Sequence, residues 1–399
     1  MPKLLQINST ANWGSTGKIA EQIGTLVLSN GWESYIAYGR YANKSKSKLI
    51  KIGSRFGMLC HLVESRLFDN HGLASRLATR RLIKEIKRIN PDIIHLHNIH
   101  GYYLNYKILF NYLNSVNTPI VWTLHDCWSF TGHCAHFINA KCYKWKYGCE
   151  NCSKYRDYPK AFIDHSQQNY NLKKRLFAYK NNVFFAPVSK WLSDFVGESY
   201  FQHNRRDVFH NGIDVHVYTP SKWTQTDKIK IIGVSSVWNN DKGLDDFYKL
   251  REILDPNKYE ITLVGLNQEQ KEYLPEGING ILRTNSAEEL AKLYSSATVF
   301  INPTYADTYP TTNLEALACG TPVITYKTGG SPESITANTG FVVEQGDISG
   351  VINAIKEIES RGKQYYSDAC RKYAEEHFDK DKCFAKYIDL YNELLNNTK

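Results

Sequence analysis

A chain of 399 residues with 42% hydrophobic and 22% charged side chains has the length and balance of two globular domains, each with its own core. No stretch of about 18 apolar residues is present to span a membrane, and the opening MPKLLQINSTAN lacks the apolar run of a secretory signal, so the expectation is a cytosolic protein. Net charge is +9 and unevenly shared: residues 1–215 hold 29 Lys and Arg against 14 Asp and Glu, residues 216–399 hold 20 against 26.

Lys3–Asn8 reads as a first strand. Residues 9–18 read as a turn, and a helix is expected over 19–29. The text GSTGK at 14–18 invites a phosphate loop, but its spacing excludes one. That motif needs Gly where Asn12 stands and Ser or Thr where Ile19 stands. What remains is a glycine turn at Gly17, either structural or open to close backbone approach. Residues 34–38 read as the next strand. Residues 73–89 read as a helix with Leu73, Leu77, Ile83 and Ile86 as its buried stripe. Arg76, Arg80, Arg81, Lys84, Lys87 and Arg88 make its outer face basic. A basic first half meets nucleic acid, anionic lipid or only water.

Residues 92–97 form an apolar strand running into HLHNIHG, and Ile120–Leu124 another ending in His125–Asp126. His125 directly follows a buried strand, at the edge where open α/β sheets bind ligands. His97 and Asn98 are weaker candidates for the same place. The segment after it, 127–152, is cysteine-rich. Cys134, Cys142, Cys149 and Cys152 are spaced x7, x6 and x2, with His133 and His136 nearby. Four thiolates close a tetrahedral structural zinc site with no open position for catalysis. Free thiols and a redox pair are the alternatives.

Residues 186–188 and the following Ser189–Lys190 read as a strand running into a helix. Residues 221–228 read as a polar linker. Ile229–Val234 then opens a second α/β unit, with Lys242–Gly243 leading its first helix. A Lys here suits a diphosphate, whose departure concentrates negative charge. Tyr259–Val264 is a strand and 288–296 a helix. Val299–Asn302 is a buried strand, and Thr312-x-x-Glu315 has the form of a capping box opening a helix through Cys319. Gly320 and Pro322 stop that helix, and 322–326 is the next strand. Asp307 in the loop and Glu315 in the first turn are two carboxylates suited to sugar hydroxyls. The helix N-terminus beside them suits phosphate.

Residues 299–333, VFINPTYADTYPTTNLEALACGTPVITYKTGGSPE, resemble the acidic-x7-Glu motif of glycosyltransferase family 4, the retaining GT-B enzymes. The likeness includes the LEALACGTPV tail and the GGSPE after it. The first acid of the family is usually Glu, and here it is the shorter Asp307. The resemblance implies a GT-B fold: two facing doubly wound Rossmann-like domains with an interdomain cleft. It places an acceptor-side domain at 1–215, interrupted by the insertion at 127–152, and a nucleotide-sugar domain at 216–377. A helix at 378–399 returns to the first domain, and 210–214 looks like the hinge. The implied activity is transfer of a sugar from a nucleotide-diphosphate sugar to an acceptor hydroxyl. Lys242 with Thr308, Tyr309, Pro310, Thr311 and Thr312 would hold the diphosphate, and Gly17 would let backbone approach the donor. Glu315 would hold the ribose, and Asp307 and His125 the sugar. No cofactor is needed for catalysis; zinc would be structural only. The HDCW…GC..C insertion looks like the bacterial branch that makes colanic-acid-type or capsular polysaccharides. That points to a lipid-linked saccharide acceptor at an anionic inner membrane surface, and away from nucleic acid. Two rivals stand beside this reading: a sugar-nucleotide epimerase on the same fold, and a zinc-bearing nucleic-acid binder.

Overall fold

The computed structural model describes residues 1–178, 182–221 and 227–397. The chain divides into two compact units, Met1–His210 with Phe384–Lys399, and Asn211–Cys383. Most of the stretch expected as a linker, 222–226, lies outside the described residues.

The first unit is built on β1 (Lys3–Asn8), β2 (Glu33–Tyr38), β3 (Lys48–Lys51), β4 (Ile93–Leu96), β5 (Ile120–Leu124) and β6 (Val183–Pro187). Its helices are α1 (Gly14–Ser29), α2 (Arg55–Phe68), α3 (Arg76–Ile89), α4 (Tyr106–Leu113), α5 (Ser166–Phe177) and α6 (Lys190–Glu198). All six strands are parallel, in the order β3-β2-β1-β4-β5-β6. The second unit repeats that plan. Its strands are β7 (Ile229–Val234), β8 (Tyr259–Val264), β9 (Ile278–Ile281), β10 (Val299–Asn302), β11 (Val323–Tyr326) and β12 (Gly340–Val343). Its helices are α7 (Leu244–Ile253), α8 (Gln268–Glu272), α9 (Ala287–Ser296), α10 (Thr311–Ala318), α11 (Ile348–Arg361) and α12 (Lys363–His377). The order β12-β11-β10-β7-β8-β9, again parallel, is the same doubly wound topology. A last helix, α13 (Lys380–Asn396), begins in the second unit and runs on into the first.

β5, β6, β10 and β11 are buried at every position, because helices cover both faces of a parallel sheet and leave no polar side. Chain order reverses between β1 and β4 in one sheet and between β7 and β10 in the other. Loops leaving those strands at their carboxyl ends surround the place where such sheets bind ligands.

Three sequence expectations are corrected. First, α1 begins at Gly14, so the turn after β1 is shorter than 9–18. Gly17 lies in the first helical turn, and a Cβ there would stand 2.6 Å from the Thr10 hydroxyl. Second, α3 is rotated from its expected phase. Thr79, Leu82, Ile86 and Ile89 face the core, while Leu77 is 67% exposed. The cations do lie outside, and they crowd the side that the expected stripe shared. Third, α10 has no capping box. Pro310 stands at its N-cap and no side chain caps it. Thr311 is already helical, so Thr312 sits two residues past the cap position.

Candidate active site

In the second unit, the loops after β7 and β10 meet. Asn239 accepts a hydrogen bond from the Lys242 amide at 3.1 Å, closing a single tight turn over residues 240–242. Gly243 then takes φ +71°, a left-handed conformation that favours glycine, and a Cβ there would lie 2.2 Å from the Pro303 carbonyl. That close contact sets the two loops edge to edge. The Tyr305 amide donates to the Asp241 carbonyl at 2.8 Å and holds them there. As a result Lys242 Nζ reaches Asp307 Oδ2 at 2.6 Å and the Ala306 carbonyl at 3.3 Å. The other Asp307 oxygen accepts from the Tyr309 amide at 3.2 Å. The two charged side chains are 31% and 20% exposed, so the pair is reachable from solvent. Gly329, at φ +54°, would place a Cβ 1.7 Å from the Asp307 carbonyl; no larger residue fits against this loop.

The Asp307 loop leads straight into α10. Thr308, Tyr309 and Pro310 are buried; Thr311 and Thr312 are half-buried in the first turn. With no side-chain cap, the first amides of the helix keep their positive end for an anion. Asn313 is fully buried. It fixes the helix to the sheet by accepting from Asn302 at 2.8 Å and donating to Ser331 and Ser334 at 3.0 and 3.1 Å. Glu315 does not cap the helix. Tyr294 donates to its Oε2 at 3.2 Å, and Tyr218 hydrogen-bonds it too. Burial first, then the Glu315 charge, hold both phenols far above their ordinary value, so they stay donors.

In the first unit, His125 follows β5 as expected and is half-buried. Burial lowers its pKa to about 4; the Asp126 charge opposes this and His100 adds to it. His125 is therefore neutral at pH 7. Its Nε2 lies 3.1 Å from His97 Nδ1, with the two rings within 20° of parallel. Asp126 faces His100 Nε2 at 2.8 Å and accepts from the Trp128 amide at 2.9 Å. Burial would raise the Asp126 carboxyl, but the charge and hydrogen bond of His100 prevail and hold it at about 2.

The cysteine-rich insertion has a core that its composition hid. Trp145 is buried against Phe130, Phe137 and Phe195, with ring centroids 5.1, 5.1 and 5.4 Å away. His133 is taken by Asp69 at 2.6 Å. Cys149 accepts from the Gly132 amide at 3.2 Å. Cys134 and Cys152 share a hydrogen bond that raises the first thiol and lowers the second. Among the described residues no group of three or more His, Cys, Asp and Glu is arranged to hold a metal ion. Structural zinc on Cys134, Cys142, Cys149 and Cys152 stays an expectation of the sequence, which elemental analysis of the purified chain tests.

Sequence reasoning missed Gln6, Tyr218, Tyr294 and Asn313. Gln6 carried a signal: it is the one polar residue within LLQI, inside a strand otherwise apolar from Leu4 to Ile7.

Comparison with known proteins adds to this geometry. A family model described as Glycosyltransferase Family 4 matches residues 30–217, and one described as Glycosyl transferases group 1 matches residues 228–360. WcaC of Escherichia coli (strain K12), whose name assigns it to colanic acid biosynthesis as a glycosyl transferase, is 26% identical over 378 residues. The match covers 88% of this chain and 90% of that protein. Among solved structures, sucrose-phosphate synthase from Thermosynechococcus elongatus has a TM-score of 0.73 at 15% identity over 100% of both chains. HepE of Anabaena, in complex with UDP-glucose, has a TM-score of 0.64 at 14% identity, over 98% of this chain and 99% of that one. At such identities these two structures speak to the fold.

Proposed function

The chain belongs to glycosyltransferase family 4 and has the GT-B fold, and from that premise we propose that it transfers a sugar, with retained configuration, from a nucleoside-diphosphate sugar to an acceptor hydroxyl in bacterial surface polysaccharide synthesis. The observation that carries this reading is the meeting of Lys242 and Asp307 at 2.6 Å beside the uncapped N-terminus of α10. A cation and a row of backbone donors suit a diphosphate that gains charge as it leaves. Asp307 loses its lysine partner to that diphosphate and turns to the sugar hydroxyls. Glu315, already fixed by two phenols, is assigned the ribose. The family role carried to His125 is contact with the donor sugar. Nucleotide-sugar use is supported by HepE, which was solved with UDP-glucose, and polysaccharide synthesis by the name and 26% identity of WcaC. Product analysis tests the reading: every nucleoside diphosphate released must be matched by new glycoside.

The proposed acceptor is lipid-linked, and the first unit is proposed to dock on an anionic membrane surface. Support comes from α2. Phe56, Leu59, Val63 and Leu67 recur along one face of it and are 75%, 56%, 48% and 45% exposed. Beside it runs the basic face of α3, and a groove of about 650 Å³ lies between the two helices, lined by His61, Leu77 and Arg81 among others. Arg76 and Arg81 share a lining with residues of α2, and with Arg80, Lys84 and Lys87 exposed on the same helix the pair of helices suits the interface of an anionic bilayer, each cation contributing about 1 kcal/mol. Co-sedimentation with vesicles should require anionic lipid and weaken with salt. It should drop when those four cations become Ser or when Phe56 and Leu59 do. Equal sedimentation with neutral and anionic vesicles, or none with either, rejects the docking.

A further inference from the structure

Three strands of the first unit deliver one connected set of polar side chains, in which Gln6 and His97 stand behind His125. Gln6 comes from β1, His97 from just past β4, and His125 from just past β5. Gln6 is fully buried and His97 is 1% exposed. Gln6 Nε2 lies 2.8 Å from the Ala20 carbonyl, and Gln6 Oε1 lies 3.0 Å from His97 Nε2. His97 Nδ1 in turn lies 3.1 Å from His125 Nε2. The indole of Trp122 donates to the His97 carbonyl at 3.1 Å and pins the backbone beneath the ring.

Donor and acceptor chemistry fixes every proton in this row. A backbone carbonyl only accepts, so the Gln6 atom facing Ala20 must be the amide nitrogen. The atom facing His97 is then the amide oxygen, which also only accepts. His97 Nε2 must therefore carry hydrogen. Burial disfavours a charged His97, so its Nδ1 holds a lone pair and accepts. His125 Nε2 must donate to it. A neutral imidazole has one N–H, so His125 Nδ1 is left as the lone-pair nitrogen.

We propose that Gln6 and His97 are positioning residues that lock His125 in its Nε2–H tautomer, so that its Nδ1 accepts a hydrogen bond from a donor-sugar hydroxyl. The tautomer assignment stands on the geometry of the first unit; its use against a sugar rests on the role given to His125 above. The chain Ala20–Gln6–His97–His125 begins at helix backbone, which cannot rotate. An imidazole held this way meets a hydroxyl as a fixed acceptor, and none of the hydroxyl's binding is spent on selecting the tautomer. Without the row, His125 would sample both tautomers in solution-like proportion, and one of them presents a hydrogen where the hydroxyl's own hydrogen must go.

The test reads the ring nitrogens directly, on the ligand-free full chain labelled with nitrogen-15 at its 13 histidines. The His125 signals are those missing from the His125→Ala spectrum. In the wild type they should show a protonated Nε2 and a bare Nδ1. His97→Phe keeps a ring of similar size but offers no acceptor, and the His125 signals should move to the exchange-averaged positions of a mixed tautomer. Gln6→Met keeps the buried volume and should cause a smaller shift the same way; it also serves if His97→Phe does not fold. His97→Gln supplies an amide oxygen and an amide nitrogen, and should restore part of the wild-type pattern. Donor turnover should fall in His97→Phe by less than about tenfold, the equivalent of losing one hydrogen bond outright, because the productive tautomer is still sampled. A merely structural His97 would change stability without moving the His125 nitrogens. A wild-type His125 protonated on Nδ1, or an unchanged Nε2–H pattern in both folded variants, overturns the proposal. Full turnover in His125→Ala would instead remove the sugar contact and leave the tautomer result standing, so the two failures are distinguishable.

Discussion

Lys242→Ala is expected to lower turnover by about 10²- to 10³-fold, the usual loss when one group stabilising developing charge is removed. The effect on folding should be small. Lys242 and Asp307 are 31% and 20% exposed, and pairs open to solvent contribute about 0–1 kcal/mol. The two loops are held by other contacts: the Gly243 approach to Pro303 and the Tyr305–Asp241 backbone bond remain when the lysine side chain is gone. Activity and stability should therefore separate. Asp307→Asn tests the other half of the pair. It leaves Lys242 without its resting partner, so binding of nucleoside diphosphate should be kept or strengthened while sugar transfer falls. Near-normal turnover in Lys242→Ala, with the melting temperature intact, would move the diphosphate to other groups.

Acid is expected to destabilise the first unit well before its carboxylates titrate. Burial lowers His61 and His125 from the ordinary 6.5 to about 4, and holds His71, His95 and His97 well below that ordinary value too. These groups are neutral when folded and protonate near 6.5 when unfolded. Below that pH the unfolded chain binds more protons, so stability is intact above about 6.5 and is lost as pH falls toward 4. His61 alone, held at about 4 instead of 6.5, accounts for about 3 kcal/mol at the bottom of that window. Asp126 adds a loss of the same sign lower down, between its ordinary 3.8 and about 2. Lys173 and Lys363, lowered by burial to about 7 and about 8, give a shallower rise toward alkaline pH. Melting temperature measured from pH 8 to pH 4 should fall several times more steeply below 6.5 than above 7. A profile flat down to pH 4.5 would contradict the buried histidine cluster.

The parts of the fold that could be read from sequence are those whose physics is local. Lys3–Asn8, Ile120–Leu124, Ile229–Val234, Tyr259–Val264 and Val299–Asn302 are strands over the residues expected. A parallel strand covered on both faces is an apolar run with sharp ends, and such runs stand out. α2 did not, because Phe56, Leu59, Val63 and Leu67 are apolar and exposed, which breaks the rule that apolar residues mark the core. The phase of α3 was misread for a related reason: Leu77 belongs with the exposed row of α2, and Leu82 with the core. The start of α1 was hidden by Gly14 and Gly17, which read as a turn.

The candidate site is named in the sequence by residue type and place, as Lys242, Asp307 and Glu315, and the partners of those residues are not legible there. That Lys242 meets Asp307, and that Glu315 meets Tyr218 and Tyr294 rather than its own helix end, depends on segments 65, 97 and 21 residues apart in the chain packing against one another. The row from Gln6 to His125 crosses three strands, with separations of 91 and 28 residues, and no short motif encodes it.

Transfer with retained configuration is tested most directly at the anomeric centre of the product. The chain should be incubated with a panel of nucleotide sugars and a lipid-linked saccharide acceptor. The product's anomeric proton coupling should then be followed from the first turnovers. The expected product is a glycoside with the anomeric configuration of the donor, formed one for one with nucleoside diphosphate. A glycoside of inverted configuration, or an epimerised sugar nucleotide with no glycoside at all, would contradict it.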